Sequence, residues 1–306
     1  MQITRTQTQP ADWPSPSAVI ALLKPITWFP PMWAYACGAI SSGETFANAA
    51  AAAIAGVVLA GPLLCGASQA INDWFDRHVD AINEPHRVIP SGRMPGRWGL
   101  GIAIAMSLLS ALAAALLGPH VLLPALIGLA FAWAYSAPPL RFKQNGWIGN
   151  AVVGLSYETL PWITAATAMT GRAPTGSILL VALLYGVGAH GILTLNDFKS
   201  IRGDCEMNIA TLPARHGPRA AAIIASVTMA APQLAVTMLL LHWGLASHAL
   251  AAAILLVIQA ALMIRFVADP VRRAVWYSSI GVGLYVGGMM IAAFGMRHLD
   301  IPLPIG

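Results

Sequence analysis

Charge is what this chain has least of. Only 9% of its 306 residues are Asp, Glu, Lys or Arg, while 57% are hydrophobic and the mean hydropathy is +0.68. A soluble domain carries about 25% charged residues, so a water-solvated globule is excluded as the main state. Cysteine is scarce as well. Cys37, Cys65 and Cys205 show neither a disulfide framework nor a metal-ligand spacing, and Cys37 and Cys65 are read as packing residues only. The first 20 residues hold Arg5 and three prolines but no continuous apolar run. They are read as a short polar tail, not a cleaved signal peptide, and the first span itself is expected to target the chain.

What is present is a series of long apolar windows. About 20 mostly apolar residues cross the hydrocarbon core of a bilayer, and nine such windows are expected, near 22–41, 48–72, 98–117, 120–137, 149–170, 177–196, 217–242, 246–267 and 274–296. Short connections join them, so residues 21–306 are read as one all-α, polytopic membrane domain. The net charge of +5 could suggest nucleic acid, but its distribution points elsewhere. With the N-terminus cytoplasmic, 15 of the 17 Lys and Arg residues, Arg5 among them, fall on the cytoplasmic side, and only Arg172 and Arg297 fall opposite. That asymmetry is the positive-inside pattern of a multi-pass protein. The partner it implies is the lipid bilayer, with no nucleic acid.

Seven of the 12 acidic residues (Asp73, Asp76, Asp80, Glu84, Asp197, Asp204 and Glu206) lie in the connections after the second and sixth windows. Asp73, Asp76 and Asp80 recur at spacings of three and four, which stacks them on one helical face at the end of a span. Unpaired, they repel one another. One resolution is a solvated helix end paired with Arg77, Arg87 and Arg93; another is a divalent cation, since magnesium takes one or two carboxylates plus substrate phosphates. A second copy favours the metal. A shift of 124 residues lays Asn72, Asp73 and Trp74 on Asn196, Asp197 and Phe198, and Asp80 on Asp204, without a gap. Two matching Asn-Asp loops on one membrane face look like the halves of a site built across a pseudo-repeat.

The same face carries cations suited to a diphosphate. Arg87 and Arg93 flank Val-Ile-Pro-Ser-Gly, and Arg141 and Lys143 follow Tyr135, whose phenol can hydrogen-bond an oxyanion. Arg141 and Lys143 could equally be plain topogenic charge.

The motif Asn-Asp-x-x-Asp-x-x-x-Asp at 72–80 resembles the first motif of the UbiA superfamily of intramembrane prenyltransferases. The second copy keeps Asp197 and Gly203-Asp204 but carries Ser200 where a further aspartate is common. Asn-Asp-Phe-Lys-Ser (196–200) is similar to the chlorophyll and bacteriochlorophyll synthase branch, as are Ile-Pro-Ser-Gly (89–92), Tyr-Ser-Ala-Pro-Pro-Leu (135–140), Lys-Gln-Asn-Gly-Trp-x-Gly-Asn (143–150) and Leu-Pro-Trp (160–162). Tyr157-Glu158 and Ala189-His190-Gly191 look more like the bacteriochlorophyll members.

The resemblance implies a nine-helix bundle with two Asp-rich cytoplasmic loops. It also implies esterification of a bacteriochlorophyllide-type propionate by geranylgeranyl or phytyl diphosphate. Magnesium, or manganese in its place, would be held by Asp73, Asp76, Asp197 and Asp204, with Asp80 beside them. Asn72, Arg87, Arg93, Tyr135, Arg141, Lys143, Asn196 and Lys199 would contact substrate. The expected setting is a bacterial cytoplasmic or photosynthetic inner membrane, with pigment-assembly proteins as neighbours.

Trp74, Phe75, Trp133 and Trp162 could exclude water and favour an allylic cation, or simply anchor spans at the interface. Glu158 and His190 stand inside apolar spans, where an ionisable group suggests function. His190 could ligate a tetrapyrrole's central metal or make a helix-helix hydrogen bond, and Glu158 could pair with it or with substrate. Two rivals stand beside this reading: the same fold with an aromatic or quinone-precursor acceptor, and a cation-coupled transporter.

Overall fold

Proline and left-handed backbone break the first apolar window. In the structure, a computed structural model that describes residues 13–297 and 299, this region is helix α1 (Pro16–Leu23), a 3-10 turn (Pro25–Thr27) and α2 (Phe29–Ser41). Lys24, before Pro25, adopts φ +46° and ends α1. The residue before a proline is pushed out of the helical region, so the window cannot run on as one helix. Ser15 caps α1 through its hydroxyl, and Ala18 and Leu22 are fully buried against Ile71, Val88 and Met94. The expected tail boundary at residue 20 therefore moves back. Residues 16–20 belong to the folded body, and residues 1–12, Arg5 included, lie outside the described residues.

The second window is longer than expected. Helix α3 (Phe46–Val58), a π-helical stretch (Leu59–Cys65) and α4 (Gly66–Asn83) form a 35-residue apolar run from Ala49 to Asn83. Pro62 has no N–H to donate, and the widened π turn absorbs it. Such a run is about 50 Å long, well beyond a hydrocarbon core of about 30 Å. Its final turns hold Asp73, Asp76 and Asp80. The first aspartate motif thus sits on a continuous helix, not in a loop.

The remaining helices are α5 (Trp98–Leu117), α6 (Pro119–Ser136), α7 (Gly146–Gly154), α8 (Leu160–Thr170), α9 (Gly176–Asp197), α10 (Ile201–Glu206), α11 (Leu212–His216), α12 (Pro218–His242), α13 (Ala246–Ala268) and α14 (Pro270–Met296). A second π stretch (Leu155–Thr159) joins α7 to α8 just before Pro161. Among the described residues the fold is all-helical, and seven helices are long and apolar enough to cross a membrane. The other two expected spans fall on α2, only 13 residues long, and on the interrupted run from α7 to α8.

Helix α9 is the centre of the bundle. Its most apolar window is 61% buried, against 17% for the peripheral α5. It packs on α12 and α14 through Tyr185, Tyr285, Met229 and Met289, all buried, and the Tyr285 hydroxyl donates to the Tyr185 carbonyl at 2.6 Å. Small residues let backbones touch where lipid supplies no hydrophobic driving force. At Gly38 of α2 a Cβ would lie 2.8 Å from Ala165 Cβ of α8, so glycine sets that contact.

Candidate active site

Helix periodicity places Asp73, Asp76 and Asp80 on one face of α4, and cations from three separate segments converge on them. Lys24 Nζ donates to Asp73 Oδ1 at 2.6 Å. Arg87 Nη1 lies 3.0 Å from Asp80 Oδ2 and 3.5 Å from Asp73 Oδ1. Lys143 Nζ donates to Asp76 Oδ1, and Arg141 Nη2 lies 3.5 Å from the same oxygen. Asn72 Nδ2 donates to Asp76 Oδ2 at 3.1 Å, one helical turn on. Asp73 and Asp80 are buried, which makes this pairing obligatory.

Lys24 and Arg141 both hold left-handed backbone, at φ +46° and +40°. A non-glycine residue there costs about 1 kcal/mol, a strain that persists where surrounding contacts fix it. Burial pulls the Lys143 ammonium below the ordinary lysine range, with Asp76 opposing that pull. Burial pulls Arg87 down too, but Asp80, Asp73 and Glu84 more than offset it, leaving it raised.

The second motif is built differently. Asp197 is the last residue of α9, and Asn150 of α7 donates to its Oδ2 at 3.3 Å and to Thr194 Oγ1 at 3.2 Å. The chain then turns into α10, where buried Asp204 accepts on Oδ2 from the Ser200 hydroxyl at 2.7 Å and the Thr211 hydroxyl at 2.9 Å. Asn196 and Lys199 are exposed. Three features join the two motifs at one end of the bundle. Asn83 Nδ2 donates to Met207 Sδ at 3.5 Å, Gly146 and Gln144 exchange backbone hydrogen bonds with Ala210, and Tyr135 lies within electrostatic reach of both Asp76 and Asp197.

From this end a cavity of about 200 Å³ leads into the bundle. Asn72, Gln69, Tyr135 and Tyr157 line its polar part, and Tyr35, Gly56, Leu59, Gly128, Phe131 and Pro161 its apolar part. From Asn72 to Gly56 it follows α4 and α3 for a distance on the order of 20 Å. Both π stretches contribute to its wall, through Leu59, Ala60, Leu64 and Cys65 on one side and Ser156 and Tyr157 on the other. Gln69 Nε2 donates to Tyr157 Oη at 2.9 Å, and Cys65 Sγ lies 3.4 Å from it. Tyr35 lies directly against Gly56, where any Cβ would collide with its phenol.

The donor set is hard oxygen, the kind magnesium accepts. Among the described residues no three His, Cys, Asp or Glu side chains gather closely enough to cage an ion alone. Magnesium bound by one or two carboxylates, with phosphate and water completing its shell, needs no such cage. Carboxylates in two separated groups beside cations therefore fit a metal shared with a phosphorylated ligand.

Comparison with known proteins follows that geometry. The model of the UbiA prenyltransferase family matches residues 26–292. The chain belongs to the UbiA prenyltransferase family. It is 52% identical over 291 residues to the bacteriochlorophyll synthase 33 kDa chain of Rhodobacter capsulatus, covering 94% of this chain and 96% of that one. It is 47% identical to the bacteriochlorophyll synthase 34 kDa chain of Chloroflexus aurantiacus, covering 90% and 89%. A solved UbiA homolog from Archaeoglobus fulgidus, bound to GPP and Mg2+, superposes with a TM-score of 0.67 at 18% identity, covering 88% of this chain and 99% of that one. The chain is thus a prenyl-transferring enzyme of UbiA fold.

Within this family member, several expected residues sit elsewhere than the sequence suggested. Arg93 is exposed and turns to Ser91 and the His86 carbonyl, away from the aspartates. Trp162 is fully buried, stacked on Tyr185 and donating to Ser41 Oγ at 2.9 Å, so it serves the core. Trp74 lies under Arg77, and Phe75 packs edge-on against Trp133; none of the three lines the cavity. The aromatic wall comes instead from Phe131, Tyr135, Tyr157 and Tyr35.

Glu158 is buried outside the cavity with Oε2 unpartnered. It makes no hydrogen bond with His190, whose two ring nitrogens are also without partners, although the Trp147 backbone lies close. Cys65, expected only to pack, lines the cavity. Lys24 and Asn150 were not foreseen as site residues. The signal for Lys24 was an isolated cation next to Pro25; for Asn150 it was its place at the end of the 143–150 motif.

Proposed function

We propose that this chain esterifies the propionate of a bacteriochlorophyllide with the geranylgeranyl or phytyl group of a prenyl diphosphate. The observation that carries the proposal is the apolar cavity, whose polar mouth at Asn72 and Tyr135 stands between the two aspartate motifs. The acceptor class rests on the 52% identity with a bacteriochlorophyll synthase chain over nearly the whole length.

In this reading the prenyl tail lies along Leu59, Gly128 and Phe131. The diphosphate rests at the mouth, where Arg87, Arg141, Lys143 and Lys24, now paired with aspartates, can share their charge with its oxygens. Asp73, Asp76, Asp197 and Asp204 would hold magnesium, or manganese in its place, with Asp80 fixing Arg87. When bound, the metal neutralises charge on the diphosphate as a Lewis acid. Asn72 and Tyr135 add donors where charge develops on the leaving oxygen. The allylic C1–O bond breaks with its electron pair passing to the diphosphate, and a propionate oxygen forms the new C–O bond. The carboxylate is already ionised near pH 7, so no proton moves and no strong base is required. Phe131, Tyr135 and Tyr157 exclude water and offer ring faces to the cation.

The protein would cross a bacterial inner membrane with its N-terminus cytoplasmic, through nine spans if α2 and the α7 to α8 run cross as well. Pigment-assembly proteins are its expected neighbours there. An aromatic or quinone-precursor acceptor would add the removal of a ring proton, and no observation on this chain favours it or a transporter. The test is to incubate the purified protein and Mg2+ with geranylgeranyl diphosphate and either bacteriochlorophyllide or 4-hydroxybenzoate. A prenyl ester of the chlorin is expected by mass, and C-prenylation of the aromatic acid instead would overturn the acceptor assignment.

A further inference from the structure

The cavity that opens at Asn72 and Tyr135 has an inner end as well as a mouth. Three of its walls can be followed inward along the chain. The wall made by α4, the first π stretch and α3 runs from Asn72 to Gly56, α6 runs from Tyr135 back to Pro124, and the run from α7 to α8 goes from Val152 to Thr164. At the Gly56 end, α2 brings Tyr35 against α3.

Tyr35 is fixed from both sides. Its ring is fully buried, and its hydroxyl donates to the Ala52 carbonyl of α3 at 3.0 Å, which supplies the partner that a buried phenol requires. A Cβ on residue 56 would fall inside the phenol, so only glycine leaves the ring its place against α3. The apolar side chains that pack with Tyr35 are small, namely Ala39, Val57, Ala60, Ala165 and Ala168. None of them can reach across to fill the volume of a lost phenol, so truncation at residue 35 would leave space at the end of the cavity.

The length of the cavity gives this stop a meaning. An extended chain advances about 1.2 Å per main-chain bond, so the roughly 16 main-chain carbons of a geranylgeranyl group span on the order of 20 Å. The helical wall from Asn72 to Gly56 is of the same order. A fifth isoprene unit would add roughly 5 Å and meet the Tyr35 ring. The geometry points to Tyr35 as the residue that sets the length of prenyl chain the enzyme accepts, with Gly56 leaving room for its ring. Tyr35 would meet the far end of the tail, away from the breaking C1–O bond, so its role is in specificity and not in the chemical step. This assignment rests on the reading that the prenyl tail occupies the cavity.

The test is a competition between two donors, using the full chain in lipid nanodiscs with Mg2+ and bacteriochlorophyllide. Geranylgeranyl diphosphate, with four isoprene units, and geranylfarnesyl diphosphate, with five, are supplied at equal concentration, and the esters are resolved by mass. The wild type should favour the four-unit ester by about tenfold or more, the scale on which an apolar pocket discriminates by size. Tyr35→Ala and Tyr35→Leu should each raise the ratio of five-unit to four-unit product about tenfold. Tyr35→Phe keeps the ring and should stay near the wild-type ratio. Both products come from one preparation, so a damaged fold lowers them together and cannot imitate the shift. A wild type that uses both donors alike overturns the proposal while leaving the proposed function standing. So does an unchanged ratio in Tyr35→Ala and Tyr35→Leu, because the tail would then leave between helices instead of ending at Tyr35. A wild type that prenylates 4-hydroxybenzoate and not the chlorin overturns the acceptor assignment, and the donor ratio read on that product still decides the role of Tyr35. No prenylated product from either donor overturns the proposed function and this proposal together.

Discussion

The two aspartate motifs align without a gap in sequence, yet the fold treats them as opposites. The first sits on the unbroken α4 and is neutralised by Lys24, Arg87, Arg141 and Lys143. The second straddles a helix end and is held by the neutral donors Asn150, Ser200 and Thr211. A carboxylate tied to cations is pre-organised beside charge that a diphosphate can share. A carboxylate tied to hydroxyls and an amide has only neutral donors beside it. The repeated pattern therefore yields one half already paired with cations and another whose carboxylates meet neutral donors.

Removing a carboxylate from the first half should have the largest effect. Asp73→Asn leaves Lys24 without its counter-charge, takes one of three carboxylates from Arg87 and removes a proposed metal ligand, so kcat/KM should fall by about 10³-fold, of the order seen when a charge-stabilising group is lost. The measurement is initial ester formation at saturating Mg2+. If Asp197→Asn proved far more damaging than Asp73→Asn, the division between the halves would be reversed. Next in size is Lys143→Ala, for which a loss of about 10²-fold is expected, mainly as a raised KM for prenyl diphosphate. Lys143→Arg should recover part of it. A loss confined to the acceptor's KM would remove Lys143 from diphosphate binding.

A smaller effect is expected from Asn150→Ala. This change frees Asp197 and Thr194 without altering charge, and removal of one hydrogen bond to a charged group costs about 1.5–3 kcal/mol. That corresponds to roughly a tenfold to hundredfold loss of activity, with a higher half-saturating Mg2+ concentration. An unchanged Mg2+ dependence would mean that Asp197 does not depend on Asn150 for its position.

How much of this contrast was legible in the sequence depends on range. Spacings of three and four fixed the face shared by Asp73, Asp76 and Asp80, because helix periodicity is local. The cation on Asp73 was not legible, because Lys24 is 49 residues away and arrives only when α1 packs on α4. Alignment lays Asn196 on Asn72, which donates to Asp76, but Asn196 is exposed and it is Asn150, 47 residues before Asp197, that donates to the second motif's carboxylate. The pattern repeats in sequence while the neighbours differ, and neighbours set the role. Trp162 misled for a similar reason. It is expected either to shield an allylic cation or to anchor a span at the interface, whereas close contact of α8 with α2 at Gly38 draws it into the core. The break after Lys24 was present in Pro25, and the π stretch around Pro62 in that proline, but an apolar window alone reads through both.

The smallest effect belongs to the one position where the second motif departs from the first in acid content. Ser200 donates its hydroxyl to Asp204 Oδ2 at 2.7 Å, so it holds a carboxylate in place where a further aspartate would repel it. Ser200→Ala should leave Asp204 with Thr211 alone and lower kcat/KM only severalfold, since one neutral-to-charged hydrogen bond is lost at a partly exposed position. Ser200→Asp tests the contrast more sharply. It adds negative charge beside Asp204, so its cost should depend on the cation that is present, a large loss at low Mg2+ that shrinks as Mg2+ is raised. Titrating Mg2+ for the wild type and both variants checks this. Parallel curves for wild type and Ser200→Asp would show that no cation is held near Asp204, and the second motif would then be a structural clasp beside the first.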